Sequence, residues 1–538
     1  MLDFEKKLKG VFFTSGDVST YLVNRVITDV NQKILEPSFG DGSFVDAIIQ
    51  NYNDRWSINK LQDNFYGVEI REDTLSKYID GSLFDPPKII LGDFLSVEPF
   101  PVDIVIGNPP YVGLNKLPPN EQRRAQKIIA LHGYNMQSSG SLWFPFVLHS
   151  CAFLKLGGTI AFVLPFEVTY VRYAKQLWKF LSQHFAELTI VRVYEDIFPD
   201  VDVETVFLIA RGYGGTTNFV NYEVYSSKTK LLNGMLDKES SISIESILSG
   251  SRPFVLNLLN DAHLNVINSL RTKGLLKPIN EHCKFKIGYV SADQEYFHPS
   301  DKQINEFGLS DQDLIPAIAN AKVLKLREIG LSVDKKYVKT KLFYPQKVVS
   351  PASRKYIKHG ESIGVNQRFK CRQRHPWYIT PSIETPNVIL TVFGDKPRMF
   401  VNSGKYISSN SLLCGFFRDK KMNVSSFVAS WYNTLTLLSI ELKVHSLGGG
   451  VLVFIPGETD ALEVIDPAVL TSIEKGFYFE LDEALKNGRL EEAYSLGDKY
   501  VLESLGLSSD EVSLLVDAVQ TLRKWRNSRS RKNLELIE

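Results

Sequence analysis

The amino-acid sequence predicts an α/β fold in its first half, a parallel, doubly wound sheet joined to a second, strongly basic module. Three observations predict it. Short apolar runs alternate with helix-patterned segments from Ile34 to Ala210, the pattern of a sheet covered by helices on both faces. At 538 residues, with 44% hydrophobic and 23% charged, the chain has globular composition and is too long for one core. Its net charge of +1 conceals a segregation: residues 251–450 hold 29 basic against 15 acidic side chains. Between Lys335 and Arg374 there are twelve Lys or Arg and one acid, Glu361, as expected where a module meets a polyanion.

Each element follows from local pattern. Val18–Val26, after a Ser/Thr/Asp-rich opening, is expected as a short helix, and Lys33–Glu36 as a strand stopped by Pro-Ser-Phe-Gly. Ser43–Ile49 reads as helix, then Phe65–Ile70, Lys88–Leu91 and Val102–Ile106 as three further strands. The last ends at Gly107-Asn108-Pro109-Pro110. Leu142–Leu156 has helical periodicity, with Gly157-Gly158 as its stop signal. Thr159–Leu164 is a fifth strand, Tyr173–His184 a helix, and strands follow near Leu188–Val193 and Thr205–Ala210. The polar stretch Tyr225–Ser251 reads as a linker.

Several classes are excluded or disfavoured. No run approaches the ~18 apolar residues of a membrane span. The opening MLDFEKKLKGVFF lacks a signal-peptide pattern. Cys151, Cys283, Cys371 and Cys414 form no CxxC pair, so neither a zinc site nor a disulfide scaffold is expected. No metal is expected, since the nine histidines show no ligand spacing; His149, in an apolar helical pattern, is expected in the core or at its edge. The default is a cytoplasmic protein with no membrane partner.

Ligands bind at the strand ends of such sheets, and four strand ends carry chemistry. In Ile34–Phe44 (ILEPSFGDGSF), Gly40 and Gly42 permit a tight turn and close backbone approach, and Glu36 can meet an amine. In Tyr66–Ile70 (YGVEI), Glu69 ends a strand 27 residues after Gly42, suited to the hydroxyls of a ribose; alone, a surface carboxylate in a turn is the plainer reading. In Leu91–Leu95 (LGDFL), Asp93 can accept from an exocyclic amine and Phe94 can lie against a flat ring; a turn Asp beside a core Phe is the plainer reading. The fourth, Asn108-Pro109-Pro110-Tyr111, is the specific one. Two prolines fix the backbone and remove two donors. What remains is a set of acceptors beside a planar ring, suited to a planar amine.

Taken in order, these motifs resemble the amino-group DNA methyltransferases that use S-adenosylmethionine. NPPY resembles their adenine-N6 catalytic motif, EPSFGDG the cofactor loop, GVEI the ribose motif and GDF the adenine motif. GVFFTSGDVSTYLV (Gly10–Val23) resembles the additional F-x-T-P motif; Thr14 is kept and Ser15 stands where proline is usual. DIFPDVDVETVFLIA (Asp196–Ala210) resembles the segment whose aromatic stacks on the flipped base. The motif order resembles the gamma group. Phe285–Phe297, Phe369–Tyr378 and His445–Glu458 resemble segments of target-recognition domains of restriction–modification methyltransferases, and Asp498–Val519 their closing helical segment.

The resemblance implies a class I methyltransferase domain over 1–245, an α+β target-recognition domain over 252–457 and a helical segment over 458–538. It implies catalysis by Asn108, Pro109, Pro110 and Tyr111, and base stacking by Tyr111 and Phe198. S-adenosylmethionine would be bound by Thr14, Glu36, Pro37, Ser38, Gly40, Gly42, Phe44, Glu69, Ile70, Asp93, Phe94 and Asn108. Duplex DNA would meet Lys335, Lys336, Lys339, Lys341, Arg354, Lys355, Arg368, Lys370, Arg372 and Arg374, with Arg372, Arg374, Asn366 and Gln367 candidates for reading base edges. The implied activity is methylation of adenine N6 in a short duplex sequence, by a monomer with a separate cognate restriction endonuclease; a fused nuclease is not expected. A cytosine-C5 mechanism is rejected, because it needs a thiolate and no cysteine follows a Pro-Pro strand end. Two other readings stay open: methylation of RNA or of a protein glutamine amide, and a DNA-recognition subunit that needs a partner.

Overall fold

The computed structural model of the chain describes residues 14–56, 59–81, 88–138, 140–195, 197, 204–249, 251–325, 328–334, 336–345, 349–446, 450–467 and 475–527. It divides into two units, Met1–Asn257 and Leu258–Glu538.

The first unit is built on one nine-stranded sheet: β1 (Ile34–Glu36), β2 (Phe65–Glu69), β3 (Ile89–Leu91), β4 (Val102–Gly107), β5 (Leu154–Pro165), β6 (Phe185–Val193), β7 (Thr205–Tyr213), β8 (Phe219–Tyr225) and β9 (Lys238–Ser243), in the order 3-2-1-4-5-7-6-8-9. Strands β3, β2, β1, β4 and β5 are mutually parallel. This parallel half is a doubly wound α/β sheet. β1 is buried along its whole length, the signature of a strand covered on both faces. Helices α1 (Gly16–Val26) and α2 (Ser43–Arg55) pack on one face, where Val18, Leu22, Val45 and Ile48 meet Ile34, Ile104 and Ile106.

Three expectations change. The sheet is not wholly parallel: β7 lies antiparallel between β5 and β6. No helix is described between β6 and β7, and without a crossover helix two sequential strands pair antiparallel. The helix expected over Leu142–Leu156 runs only over Trp143–Cys151, and Leu154 already begins β5. Leu154 pairs with Val102 and Thr159 with Ile104. Gly157 and Gly158 therefore sit in an irregularity of the strand pair, with Gly157 at φ +82°, rather than capping a helix. Finally, the expected linker is structured. Residues 238–243 add β9 antiparallel to β8, pairing its backbone along the strand, and Ile242 of β9 is buried together with Ile244 and Ile247 of the helix that follows.

The second unit holds an antiparallel four-stranded sheet of Cys283–Ile287, Leu412–Phe417, Val388–Thr391 and Met399–Val401, and a three-stranded sheet of Lys341–Phe343, Leu314–Ile318 and Ile407–Ser408. An aromatic core sits against the second: Tyr296 and Tyr356 stack at 4.7 Å between centroids and exchange hydroxyl-to-carbonyl hydrogen bonds. Asp313, buried, accepts from the hydroxyls of Ser350 (2.6 Å) and Ser353 (2.7 Å), fixing the start of the helix Pro351–Ser362. The closing helix Ser509–Asn527 packs on the buried helix Thr434–Lys443. There Glu441 accepts from Arg526 at 2.9 Å and from Arg523 at 3.1 Å. A buried carboxylate needs such partners, and they tie the closing segment to the same unit as residues 258–457. The division between the two units falls after Asn257.

Candidate active site

Strand register assembles the site. Glu36 aligns with Gly67, Glu69 with Leu91, and Gly107 with Phe162. The carboxyl ends of β1, β2, β3 and β4 therefore face one cavity of about 520 Å³, where an open α/β sheet places its ligands.

The β1–α2 loop forms one wall. Gly40 and Gly42 adopt φ of +61° and +85°, the left-handed region that glycine reaches without steric cost. A Cβ on Gly42 would lie 2.2 Å from the Tyr78 ring. Gly42 caps α2 and does not line the cavity, whereas Pro37, Ser38, Gly40 and Phe44 do. Glu36 is 1% exposed, and its Oε2 has no hydrogen-bond partner. Burial first, then the charges of Asp41, Glu69 and Asp46, push its carboxyl well above the usual range. Glu69, also buried, is held on both oxygens: Oε2 accepts the Gly40 amide at 2.8 Å and Oε1 the Arg71 amide at 2.9 Å.

Ile70 lines the cavity and is 55% exposed, an apolar side chain open to it. Asp93 Oδ1 accepts the Leu95 amide at 3.0 Å. Phe94 also lines the cavity, but its ring is seated among Phe146, His149 and Phe153 at 4.9–5.4 Å. His149 belongs to this cluster, its pKa lowered by burial, as expected of a core histidine.

Asn108, Pro109 and Pro110 line the same cavity. The Asn108 amide is oriented from both ends. Tyr111 Oη donates to Asn108 Oδ1 at 2.6 Å, with the Val163 carbonyl 3.0 Å away as a second acceptor, and Asn108 Nδ2 donates to Thr14 Oγ1 at 3.2 Å. Ser38 Oγ donates to the Asn108 carbonyl at 2.9 Å. Thr14, from the segment preceding α1, is thus brought beside a residue 94 positions away. Burial, reinforced by Glu167, holds the Tyr111 phenol neutral by pushing its pKa well up, so it remains a donor.

No sequence motif marks the cavity wall built by residues 112–121. Val112, Lys116, Leu117, Pro118 and Glu121 all line it. Nor does a motif mark Glu167, which accepts from Trp143 Nε1 at 2.7 Å and Tyr173 Oη at 3.1 Å; a lone Glu after a Pro-Phe turn carries no sequence signal. Among the described residues no group of His, Cys, Asp and Glu could hold a metal ion.

Phe198 and Lys335, singled out from sequence, lie outside the described residues. In the second unit Lys336, Lys339, Arg354, Lys355, Arg368, Lys370 and Arg372 are exposed. Lys341 pairs with Asp311 at 2.7 Å, and Arg368 lies 3.4 Å from Asp293. Arg374 behaves differently: its guanidinium donates to the carbonyls of Val290 (2.6 Å) and Ser291 (3.2 Å), which fixes it to the fold. Of the two candidate base readers beside it, Asn366 is half-buried and Gln367 exposed. Phe369 stands 64% exposed among these cations. No helix among the described residues is long and apolar enough to cross a membrane.

Comparison with known proteins bears on the whole chain. Residues 49–198 match the model of the Eco57I restriction-modification methylase family, and residues 251–502 match that of the C-terminal domain of the type II methyltransferase M.Eco57I. The chain is 24% identical over 426 residues to the type II methyltransferase M.AccI of Acinetobacter calcoaceticus, covering 76% of this chain and 75% of that protein. It is 21% identical over 546 residues to M.BstVI of Geobacillus stearothermophilus, covering 91% and 94%. Among solved structures it is similar to the type IIL restriction-modification enzyme MmeI in complex with DNA, at TM-score 0.49 and 14% identity, over 98% of this chain and 73% of that one. Together these matches make the chain a DNA methyltransferase of the restriction–modification type.

Proposed function

We propose that this DNA methyltransferase transfers a methyl group from S-adenosylmethionine to N6 of an adenine flipped out of a short duplex recognition sequence. The oriented Asn108 amide carries the reading. It is held by Tyr111 and Thr14 at the wall of a cavity whose remaining groups suit that cofactor. The unpartnered buried Glu36 oxygen matches an ammonium group, since a buried carboxylate without a partner is costly. Glu69 suits the ribose hydroxyls, Asp93 the adenine amine, and the uncovered Ile70 the adenine ring.

The cofactor supplies an electrophilic methyl group on a sulfonium. The chain's own residues bind and orient the amine. An exocyclic amine is a weak nucleophile because its lone pair is delocalised into the ring. Acceptors at Asn108 Oδ1 and the Pro109 carbonyl would bind its two N–H bonds and favour the pyramidal nitrogen; as the N–C bond forms the sulfonium S–C bond breaks to leave a thioether, and the nitrogen releases one of its protons to solvent. Catalysis is therefore positioning and electrostatics, without a covalent enzyme intermediate. A base inside a duplex is out of reach and must be extruded, at a cost of a few kcal/mol offset by stacking in the pocket; Tyr111 and Phe198 are the stacking residues of this reading.

The basic surface of the second unit supplies sequence-independent affinity through phosphates, and the same unit selects the sequence. The motif order supports a gamma-group enzyme. We infer a cytoplasmic monomer, accompanied by a separate restriction endonuclease. The deciding experiment is single-molecule sequencing of plasmid DNA from a methylation-free host expressing the chain. N6-methyladenine in one short context is the expected result. No modified base, with the cofactor still bound by the purified chain, refutes the proposal and directs the search to RNA, protein amides or a missing subunit.

A further inference from the structure

Asp93 is engaged by a residue that no motif announces. Its Oδ2 accepts Arg124 Nε–H at 2.7 Å while its Oδ1 accepts the Leu95 amide. Arg124 lies on the helix Pro119–Leu131, two turns beyond the catalytic tetrapeptide's loop, with Ala125 and Ile129 of that helix buried. The first turn of this helix and the residues before it line the cavity through Lys116, Leu117, Pro118 and Glu121. Two carboxylates, Asp93 and Glu121, thus face the same end of the cavity. Burial and then the charge of Asp93 raise the Glu121 pKa, and the charge of Arg124 opposes them.

Resting on the cofactor reading above, we propose that Arg124 is a positioning residue for S-adenosylmethionine. Its ion pair holds the Asp93 carboxylate in the rotamer that lines the cavity, and through the helix Pro119–Leu131 clamps residues 112–121 as the wall over the adenine end. Without it the two carboxylates repel, the helix start moves off the strand end, and Asp93 loses its fixed orientation. The pair is 39% exposed on the arginine side and 14% on the aspartate side. It therefore contributes little to folding, and its effect is expressed in ligand affinity.

The test uses the full chain and S-adenosylhomocysteine as probe. Isothermal titration gives its Kd for the unsubstituted chain, Arg124→Gln, Arg124→Lys, Asp93→Asn and the double variant; single-turnover transfer at saturating cofactor gives the rate. Arg124→Gln is expected to raise Kd and the cofactor KM about tenfold, the effect of losing one charge-assisted hydrogen bond at the site, with kcat within about twofold. Arg124→Lys recovers most of the loss. In the double variant the two effects do not add, because both substitutions break one pair. An unchanged Kd in Arg124→Gln overturns the clamp alone, as does a loss that appears equally in kcat and in the melting temperature of the ligand-free protein. Absence of binding by the unsubstituted chain overturns the cofactor reading and the clamp together. If Arg124→Gln fails to fold, the Kd of Arg124→Met, which keeps the length of the side chain without its charge, decides: a rise of about tenfold supports the clamp and an unchanged value overturns it.

Discussion

Replacing Asn108 by alanine tests the proposed chemistry at its centre. The substitution removes the acceptor offered to the target amine and the amide that Tyr111 and Thr14 orient. The structural cost is small. The Tyr111 hydroxyl retains the Val163 carbonyl at 3.0 Å while Thr14 Oγ1 loses its Asn108 donor, and stability changes by about 1 kcal/mol. The catalytic cost is large: removing a preorganised polar group that acts on the reacting atoms lowers the rate about 10²- to 10³-fold, or roughly 3–4 kcal/mol of barrier. The assay is single-turnover methyl transfer to a cognate duplex, with S-adenosylhomocysteine affinity measured in parallel. Affinity within about threefold and transfer down at least about a hundredfold is the expected pair of results. Tyr111→Phe keeps the ring but frees the amide and is expected to cost about tenfold, the worth of one hydrogen bond. Near-normal transfer by Asn108→Ala would refute the assignment of Asn108 as acceptor.

Three further outcomes follow from the structure. Glu36 has its pKa raised in the folded chain. It binds more protons there than when unfolded, so stability falls as pH rises from the ordinary carboxylate range toward the raised value. Glu36→Gln should melt higher than the unsubstituted chain at pH 8 without ligand and show a smaller rise on adding the cofactor; equal melting at pH 8 would argue against a buried, ionisable Glu36. Neutralising Lys370 and Arg372 together should weaken binding to all DNA sequences and lower the slope of log K against log salt by about two. Arg374→Gln should instead lower the melting temperature and leave the slope unchanged, since its guanidinium is spent on the Val290 and Ser291 carbonyls. Arg526→Ala strips one partner from buried Glu441, whose side chain is 2% exposed, and should destabilise the second unit by about 3 kcal/mol in urea unfolding, the remaining Arg523 contact at 3.1 Å moderating the loss.

Much of this protein is written locally. Continuous apolar runs bounded by turn residues mark β1, β2, β4 and β7 because a strand covered on both faces has no polar alternation to obscure it. The glycines of the cofactor loop and the two prolines after Asn108 are legible for a related reason: their backbone restrictions act wherever they stand. Strand order supplies the rest of the site's plan, since a doubly wound sheet must present its strand ends on one side, and Glu36, Glu69, Asp93 and Asn108 were identifiable as neighbours from that alone. Other features depend on partners distant in sequence. Whether Gly157-Gly158 ends a helix or interrupts a strand depends on Val102 and Ile104 pairing across it. Whether residues 238–243 link or pair depends on β8. Among the cations, Arg372 and Arg374 are two positions apart with the same chemistry, yet one is exposed and the other hydrogen-bonded to residues 290 and 291. The orientation of Asn108 by Thr14 and Tyr111, and the approach of Arg124 to Asp93 across 31 positions, are likewise invisible in the sequence. Backbone preference and hydrophobic periodicity are properties of neighbouring residues and can be read from order alone. Hydrogen bonds, ion pairs and burial between distant side chains exist only once the chain has closed, and they decide here which of the chemically similar residues act.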